Sequence, residues 1–229
     1  MKTLLAYIVA RVQALAVWLA LAVVILGALG FALRPRGHDE SHEDPEQRLF
    51  VDVKRVLSGQ KVKLEVDKPE DEYLVYAGIR APIKEEPLFE ESTKRNAELV
   101  ERREVRIRFD DEHRNKEGHL SAYVFSGEEF VNETLVREGL AYARITGSSD
   151  RFGKRLLAAQ GEARKAKRGL WGKRTASRES SFRADPKYGN YHRASCEDIA
   201  KTPGDRVVML KSEKEAFDRG FAPCSKCKP

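Results

Sequence analysis

The order of apolar and polar positions divides the chain into stretches of different character. From Val12 to Leu33 no residue is charged, and nearly all are Leu, Ala, Val, Ile, Phe, Trp or Gly. Residues 34–47 have no apolar period and are rich in Pro, Gly, His and acids, as in a solvated linker. Regular patterns begin near residue 48. LFVDVKRV (49–56) predicts a strand, SGQ (58–60) a turn, and KVKLEVD (61–67) a second strand with Val62, Leu64 and Val66 on one face. YLVYAGI (73–79), EVRIRFD (104–110) and HLSAYVFS (119–126) predict three more strands. Between the third and fourth, LFEESTKRNAELVER (88–102) repeats Leu88, Phe89, Ala97 and Val100 at helical spacing. VNETLVREGLAYA (131–143) and FGKRLLAAQGEARKAKRGLW (152–171) predict two further helices.

Five strands with a helix between the third and fourth is the order of an OB barrel, a closed sheet with no unpaired edges. The expected class is therefore β-rich α+β: a five-stranded OB-fold barrel with three helices over residues 48–172. One transmembrane helix precedes it and a small zinc-ribbon-like module follows. The module spans 188–229, after a Ser- and Arg-rich linker at 173–187. As a helix, Val12–Leu33 would be about 33 Å long at about 1.5 Å per residue, enough to cross a hydrocarbon core. A cleaved signal peptide has an apolar core of only about 7–15 residues, so residues 1–33 read as an anchor, with cleavage near Gly30-Phe31-Ala32 as the alternative. Lys2 and Arg11 precede the span, and Arg34 and Arg36 follow it. The slight bias sets the amino end in the cytoplasm and exports the bulk of the chain.

The net charge of +6 is uneven. Residues 1–47 carry 4 basic and 5 acidic side chains, residues 48–172 carry 25 and 23, and residues 173–229 carry 13 and 8. The tail is the basic part, which suits a polyanionic partner there, with a solubilising surface as the alternative that charge alone does not decide.

All three cysteines also lie in the tail. His192-x3-Cys196 and Cys224-x2-Cys227 have 27 residues between the pairs. This Cys3His set suits tetrahedral zinc, and the ion would replace a core too small to hold about 40 residues. A disulfide is the alternative in an exported chain, although three cysteines leave one over. Between the pairs RVVML (206–210) predicts a strand, Ser212 with Glu215 a capping box, and Gly220 a helix stop. The tail resembles the Ada-type zinc-binding module in Val207-Val208 followed by SEKEAFDRGFAPCSKCKP. That module has a methyl-accepting Cys where His192 stands, so the resemblance implies the zinc fold and not methyl transfer.

Gly78-Ile79-Arg80-Ala81-Pro82 after a strand resembles the thermonuclease, or staphylococcal-nuclease-like, family. RVLSGQKVKL, EGHLSAYVF, FVNETLVREGLAYA and RKAKRGLW resemble further family segments in register, so the resemblance covers about Val51–Trp171. It implies metal-assisted phosphodiester cleavage: carboxylates hold one calcium, a Glu activates water, and two Arg neutralise the phosphate. At the matching positions this chain has Ser58 and Gln60 for the hairpin carboxylates, with Gln60 at a calcium position. Arg80 stands at the other calcium position, Ile83 at the general base, and Val75 and His119 at the two Arg. The resemblance thus implies a fold whose catalytic positions Val75, Ile83 and His119 are degenerate, with no calcium expected.

Three functions remain. One is a nucleic-acid-binding module, with Arg80, Lys84, Lys116, His119 and Arg144 along an OB groove for DNA or RNA. Lys116 matches a family Lys near phosphate, whereas two family tyrosines are Ile145 and Gly147 here. The second is an active nuclease with a relocated metal set drawn from Glu85, Glu86, Asp110, Asp111, Glu112 and His113. The third is a structural or protein-interaction module.

Overall fold

The computed structural model describes residues 49–67, 71–146, 151–175, 177, 179 and 181–229, without the Asp111 side chain. The expected anchor at Val12–Leu33 and linker at 34–47 lie outside these residues. Among the described residues no helix is long and apolar enough to cross a membrane.

Strand β1 (Leu49–Ser58) turns through Gly59-Gln60 into β2 (Lys61–Leu64), and β3 (Tyr73–Tyr76) follows antiparallel. The short β4 (Ile79–Arg80) leads to helix α1 (Phe89–Val100), then β5 (Glu104–Arg114) and β6 (Leu120–Ser126). The sheet runs β3-β2-β1-β5-β6, and a parallel pairing of β3 with β6 through Leu74↔Leu120, Val75↔Ser121 and Tyr76↔Ala122 closes it. The result is a five-stranded OB-like barrel with no free edge at the seam. Alternation explains its core. Val62, Leu64, Leu74, Tyr76, Val105 and Ile107 point inward and are buried, while the lysines of β2 stay partly exposed.

Gly59 lets α1 approach the first hairpin, since a Cβ there would sit 1.8 Å from Ser92 Oγ. Buried Asn96 on α1 accepts from Tyr76 Oη at 2.9 Å and donates to Ser58 O at 2.8 Å. The seam is pinned the same way. Buried Asn132 accepts from Val124 N–H at 3.0 Å and donates to Ala77 O at 2.7 Å.

After β7 (Glu129–Phe130) comes α2 (Val131–Arg137), which stops well short of the expected end at residue 143. Gly139 has φ 73°, and a Cβ there would meet Arg168 O at 2.3 Å. It crosses backbone to backbone with Gly169, whose own Cβ would meet Gly139 O at 2.4 Å, and Leu170 N–H bonds Gly139 O at 2.9 Å. Gly139 caps α2 with its N–H on Val136 O at 3.0 Å, and this crossing places Tyr142–Ala143 as β8, paired with β4. It also divides the last expected helix into α3 (Gly153–Lys165) and α4 (Leu170–Lys173).

The segment expected as a second linker, 173–187, contains β9 (Phe182–Asp185), an inner strand of the module's sheet. The other strands are β10 (Asn190–Arg193), β11 (Val208–Leu210) and β12 (Ala222–Pro223), in the order β11-β9-β10-β12. Two short helices, α5 (Glu197–Ala200) and α6 (Glu213–Asp218), complete it. Ser212 caps α6 by accepting from Glu215 N–H at 3.1 Å, and Gly220 ends the segment at φ 77°. The module is not tethered loosely. Phe182, Tyr191, Leu210, Phe217 and Phe221 form one apolar cluster with Tyr142, Leu170 and Trp171 from the barrel side.

Candidate functional site

Strand β4 sets Arg80 opposite Tyr142 of β8. Arg80 is only 7% exposed and donates to Glu86 Oε1, while Glu86 Oε2 accepts from Ile83 N–H at 3.2 Å. The Arg80 Cζ lies 5.8 Å from the Tyr142 ring centroid. Beside it the Gln60 side-chain oxygen accepts from Ala81 N–H, and Gln60 N–H donates to Ser58 Oγ at 3.3 Å. The Arg80 guanidinium and the Gln60 side-chain oxygen are therefore both engaged by other parts of the chain. Arg80 is an internal ion-pair partner here, not the groove-lining cation expected from the sequence. The side chains of Ile83 and Lys84 face outward. Val75 sits half-buried in β3 between Lys61 and Ser121, and His119 packs edge-on against Tyr73 with centroids 5.2 Å apart.

Arg144 follows β8, its backbone N–H held by Gly78 O at 2.8 Å. Its Nε is buried with no hydrogen-bond partner. Burial first, and then the like charge of Arg80, pull its pKa below the usual guanidinium value, while Glu117 opposes the shift. Lys116 in the β5–β6 loop is exposed, 4.0 Å from Glu117.

Of the acids that would serve a relocated site, Asp110 accepts from Tyr123 Oη at 3.2 Å, and Glu85 and Glu112 are exposed. His113 stacks on Phe109 with centroids 4.4 Å apart. Among the described residues, one group of three or more side chains is placed to share a metal ion, and it is in the module.

That group is His192, Cys196, Cys224 and Cys227, whose ligand atoms all lie within 4.8 Å of one another. Strand β10 carries His192, the turn into α5 carries Cys196, and the turn after β12 supplies the other two. His192 Nδ1 is 3.4 Å from Cys196 Sγ. Tetrahedral zinc at about 2.3 Å from sulfur and about 2.0–2.1 Å from nitrogen requires N···S near 3.5 Å and S···S near 3.8 Å, so the donor set fits. The three cysteines are free thiols. Burial pushes the Cys227 thiol up to about 12, with the neighbouring Cys224 and Cys196 adding to it. Crowded sulfurs of this kind ionise together only around a cation.

The family model described as staphylococcal nuclease homologue matches residues 60–173. The thermonuclease of Staphylococcus intermedius is 30% identical over 125 residues, covering 52% of this chain and 74% of that protein. This chain belongs to the staphylococcal nuclease homologue family. The thermonuclease of Staphylococcus hyicus is 36% identical over 67 residues, 29% of this chain and 40% of that protein. Endonuclease YncB of Bacillus subtilis (strain 168) is 34% identical over 90 residues, 38% of this chain and 43% of that protein. The family match stops at residue 173, so the Cys3His module lies beyond the nuclease-homologue barrel.

Sequence reasoning did not single out Tyr188, Lys187 or Arg206. They belong to no motif, and only the turn residues around PKYGN hint that an aromatic is held on a tight bend there. Glu86 was weighed as a metal ligand, and the structure makes it the partner of Arg80.

Proposed function

We infer that this chain is a membrane-tethered nucleic-acid-binding protein on a staphylococcal nuclease fold, with a structural zinc ion and little or no phosphodiesterase activity. The observation that carries this reading is the buried Arg80–Glu86 pair. Arg80 stands where the family pattern calls for a calcium carboxylate. Calcium needs six to eight oxygen ligands, and a fixed guanidinium repels a dication while consuming the nearest acid. Gln60, at the other calcium position, is spent on Ala81 N–H. The base position is an outward-facing Ile83, which has no proton to take or give. Losses of metal, base and phosphate clamp each cost orders of magnitude in rate, although they do not simply add.

Binding is supported by the cations that remain and by the basic tail. The zinc assignment is supported by the ligand spacing and by its likeness to the Ada-type module. The uncharged run Val12–Leu33 supports an anchor with the amino side in the cytoplasm. If that is right, high-pH carbonate washes leave the chain in the membrane pellet, and its release would refute the anchor.

The names thermonuclease and endonuclease carried by the relatives support a second reading, an active nuclease with altered metal or base residues. Cleavage assays on single-stranded DNA, duplex DNA and RNA with Ca²⁺, Mg²⁺ or Mn²⁺ separate the two. Metal-dependent cleavage that His119→Ala abolishes would overturn the non-catalytic reading. Retention on DNA at low salt that weakens as salt rises is expected of the binding reading, and no retention would sink it.

A further inference from the structure

The turn from Asp185 to Gly189 brings a module aromatic beside Lys116 of the barrel. Tyr188 is 48% exposed, although it is large and hydrophobic. Three cations from different elements lie over its ring: Lys187 Nζ at 5.7 Å, Arg206 Cζ at 5.8 Å and Lys116 Nζ at 5.9 Å from the centroid. Lys116 belongs to the barrel loop, so the cluster joins the barrel and the Cys3His module. Gly189 at φ 64° presses the turn against the barrel, where a Cβ would meet Arg144 Cγ and Ile145 O, each at 2.8 Å. Arg144, whose Nε is buried without a hydrogen-bond partner, therefore packs against this turn.

The turn is rigid. Asp185 is 2% exposed; its carboxylate accepts from Lys187 N–H at 3.0 Å, Thr202 Oγ1 at 3.0 Å and Arg206 at 2.9 and 2.8 Å. Its carbonyl accepts from Tyr188 N–H at 3.1 Å and Gly189 N–H at 2.9 Å. A side chain held out on such a bend loses little further freedom when something stacks on it.

We propose that Tyr188 is a base-stacking platform for single-stranded nucleic acid that runs from the barrel loop onto the Cys3His module, with Lys116, Lys187 and Arg206 on the flanking phosphates. A half-exposed ring with cations close over it matches a ligand that alternates π-faces and negative charges, which is single-stranded DNA or RNA. A duplex hides its base faces and would gain nothing from the ring. This proposal rests on the binding reading above and names its site.

The test uses the full chain and fluorescein-labelled oligothymidylate, read by anisotropy over a salt series. Tyr188→Ala is expected to weaken binding about 5- to 150-fold. It should leave the salt slope unchanged, because no phosphate contact is lost. Tyr188→Phe should stay within about twofold, since stacking needs the ring and not the hydroxyl. Lys187→Ala should flatten the slope by about 0.7, the loss of one single-strand phosphate contact. An abasic oligomer of the same length should bind weakly and ignore Tyr188→Ala. Zinc content and circular dichroism of each variant guard against misfolding. If the parent chain binds oligothymidylate with a salt slope but Tyr188→Ala changes nothing, the platform is wrong and the binding reading stands. If the abasic oligomer loses as much affinity as oligothymidylate, the ring acts through charge or shape and the platform is also wrong. If the parent chain does not bind at low salt, both fall.

Discussion

Gln160→Leu tests whether the C-terminal module is structurally part of the barrel. Gln160 lies on α3, 1% exposed, and its two polar ends face different units. Its Oε1 accepts from Ala143 N–H of β8 at 2.9 Å, and its Nε2 donates to Phe217 O of α6 at 2.9 Å. Leucine fills nearly the same volume but leaves Ala143 N–H buried without a partner, while Phe217 O keeps only Gly220 N–H at 3.1 Å. The orphaned N–H costs about 1–3 kcal/mol, and the lost second bond to Phe217 O about 0.5–1.5 kcal/mol. Returning apolar surface to the core regains about 1 kcal/mol. The net expectation is a loss of about 0.5–3.5 kcal/mol. With a urea slope of about 2 kcal/mol per molar, the midpoint falls by about 0.3–1.8 M. The assay is urea unfolding of Pro45–Pro229, which is one compact unit. Trp171 is the sole tryptophan in that span, and its ring meets Phe217 at 4.8 Å and Tyr142 at 5.3 Å. Its fluorescence reports the junction, while far-UV circular dichroism reports the barrel. Both signals should shift together, because Tyr142, Trp171 and Phe217 share one core. A shift below about 0.3 M, or tryptophan changing while the dichroism transition stays put, would refute the shared-core argument.

Four further outcomes are expected. Metal analysis should find about one zinc ion per parent chain and well below that in Cys224→Ser; a parent value near zero removes the metal assignment. Gly59→Ala places a Cβ 1.8 Å from Ser92 Oγ and should cost about 1–3 kcal/mol in thermal melts, and an unchanged Tm contradicts the close packing of α1 on the hairpin. Burial pushes the Asp185 carboxyl up, but hydrogen bonds from Arg206, Lys187 N–H and Thr202 outweigh it, and its folded pKa is depressed. Its contribution is thus present above the unfolded value of about 3.9 and lost as pH falls through the lower folded value. Asp185→Asn should cost about 1.5–2 kcal/mol at pH 7, the low end because Arg206 is one-third exposed. The gap should narrow below about pH 4, and a gap that widens in acid refutes the sign. Asn132→Ala should cost about 2–4 kcal/mol by stranding Val124 N–H and Ala77 O at the barrel seam, and urea unfolding measures it.

Much of the barrel was legible because a strand's two-residue period reports which face is buried. Val62 with Leu64, Leu74 with Tyr76, and Val105 with Ile107 all announce an inner face before any partner is known. The metal ligands were legible too, since two close pairs of donors can grip one ion whatever lies between them. Periodicity says nothing about partners, however, and there the reading ran out. Gly139, a left-handed glycine just past Arg137, ends α2 locally, but only the fold sets it across Gly169, thirty residues on. Arg80 is a cation in any sequence reading, and only the folded chain pairs it with Glu86.

The sequence by itself determined the strands of a five-strand barrel and a Cys3His tail, because patterning and short spacings are local properties. Only the tertiary structure decided that the tail packs into the barrel through Gln160, Tyr142 and Trp171, and that Tyr188 stands beside Lys116. Those contacts join residues dozens of positions apart, and such closures depend on how whole elements pack rather than on the letters at either end.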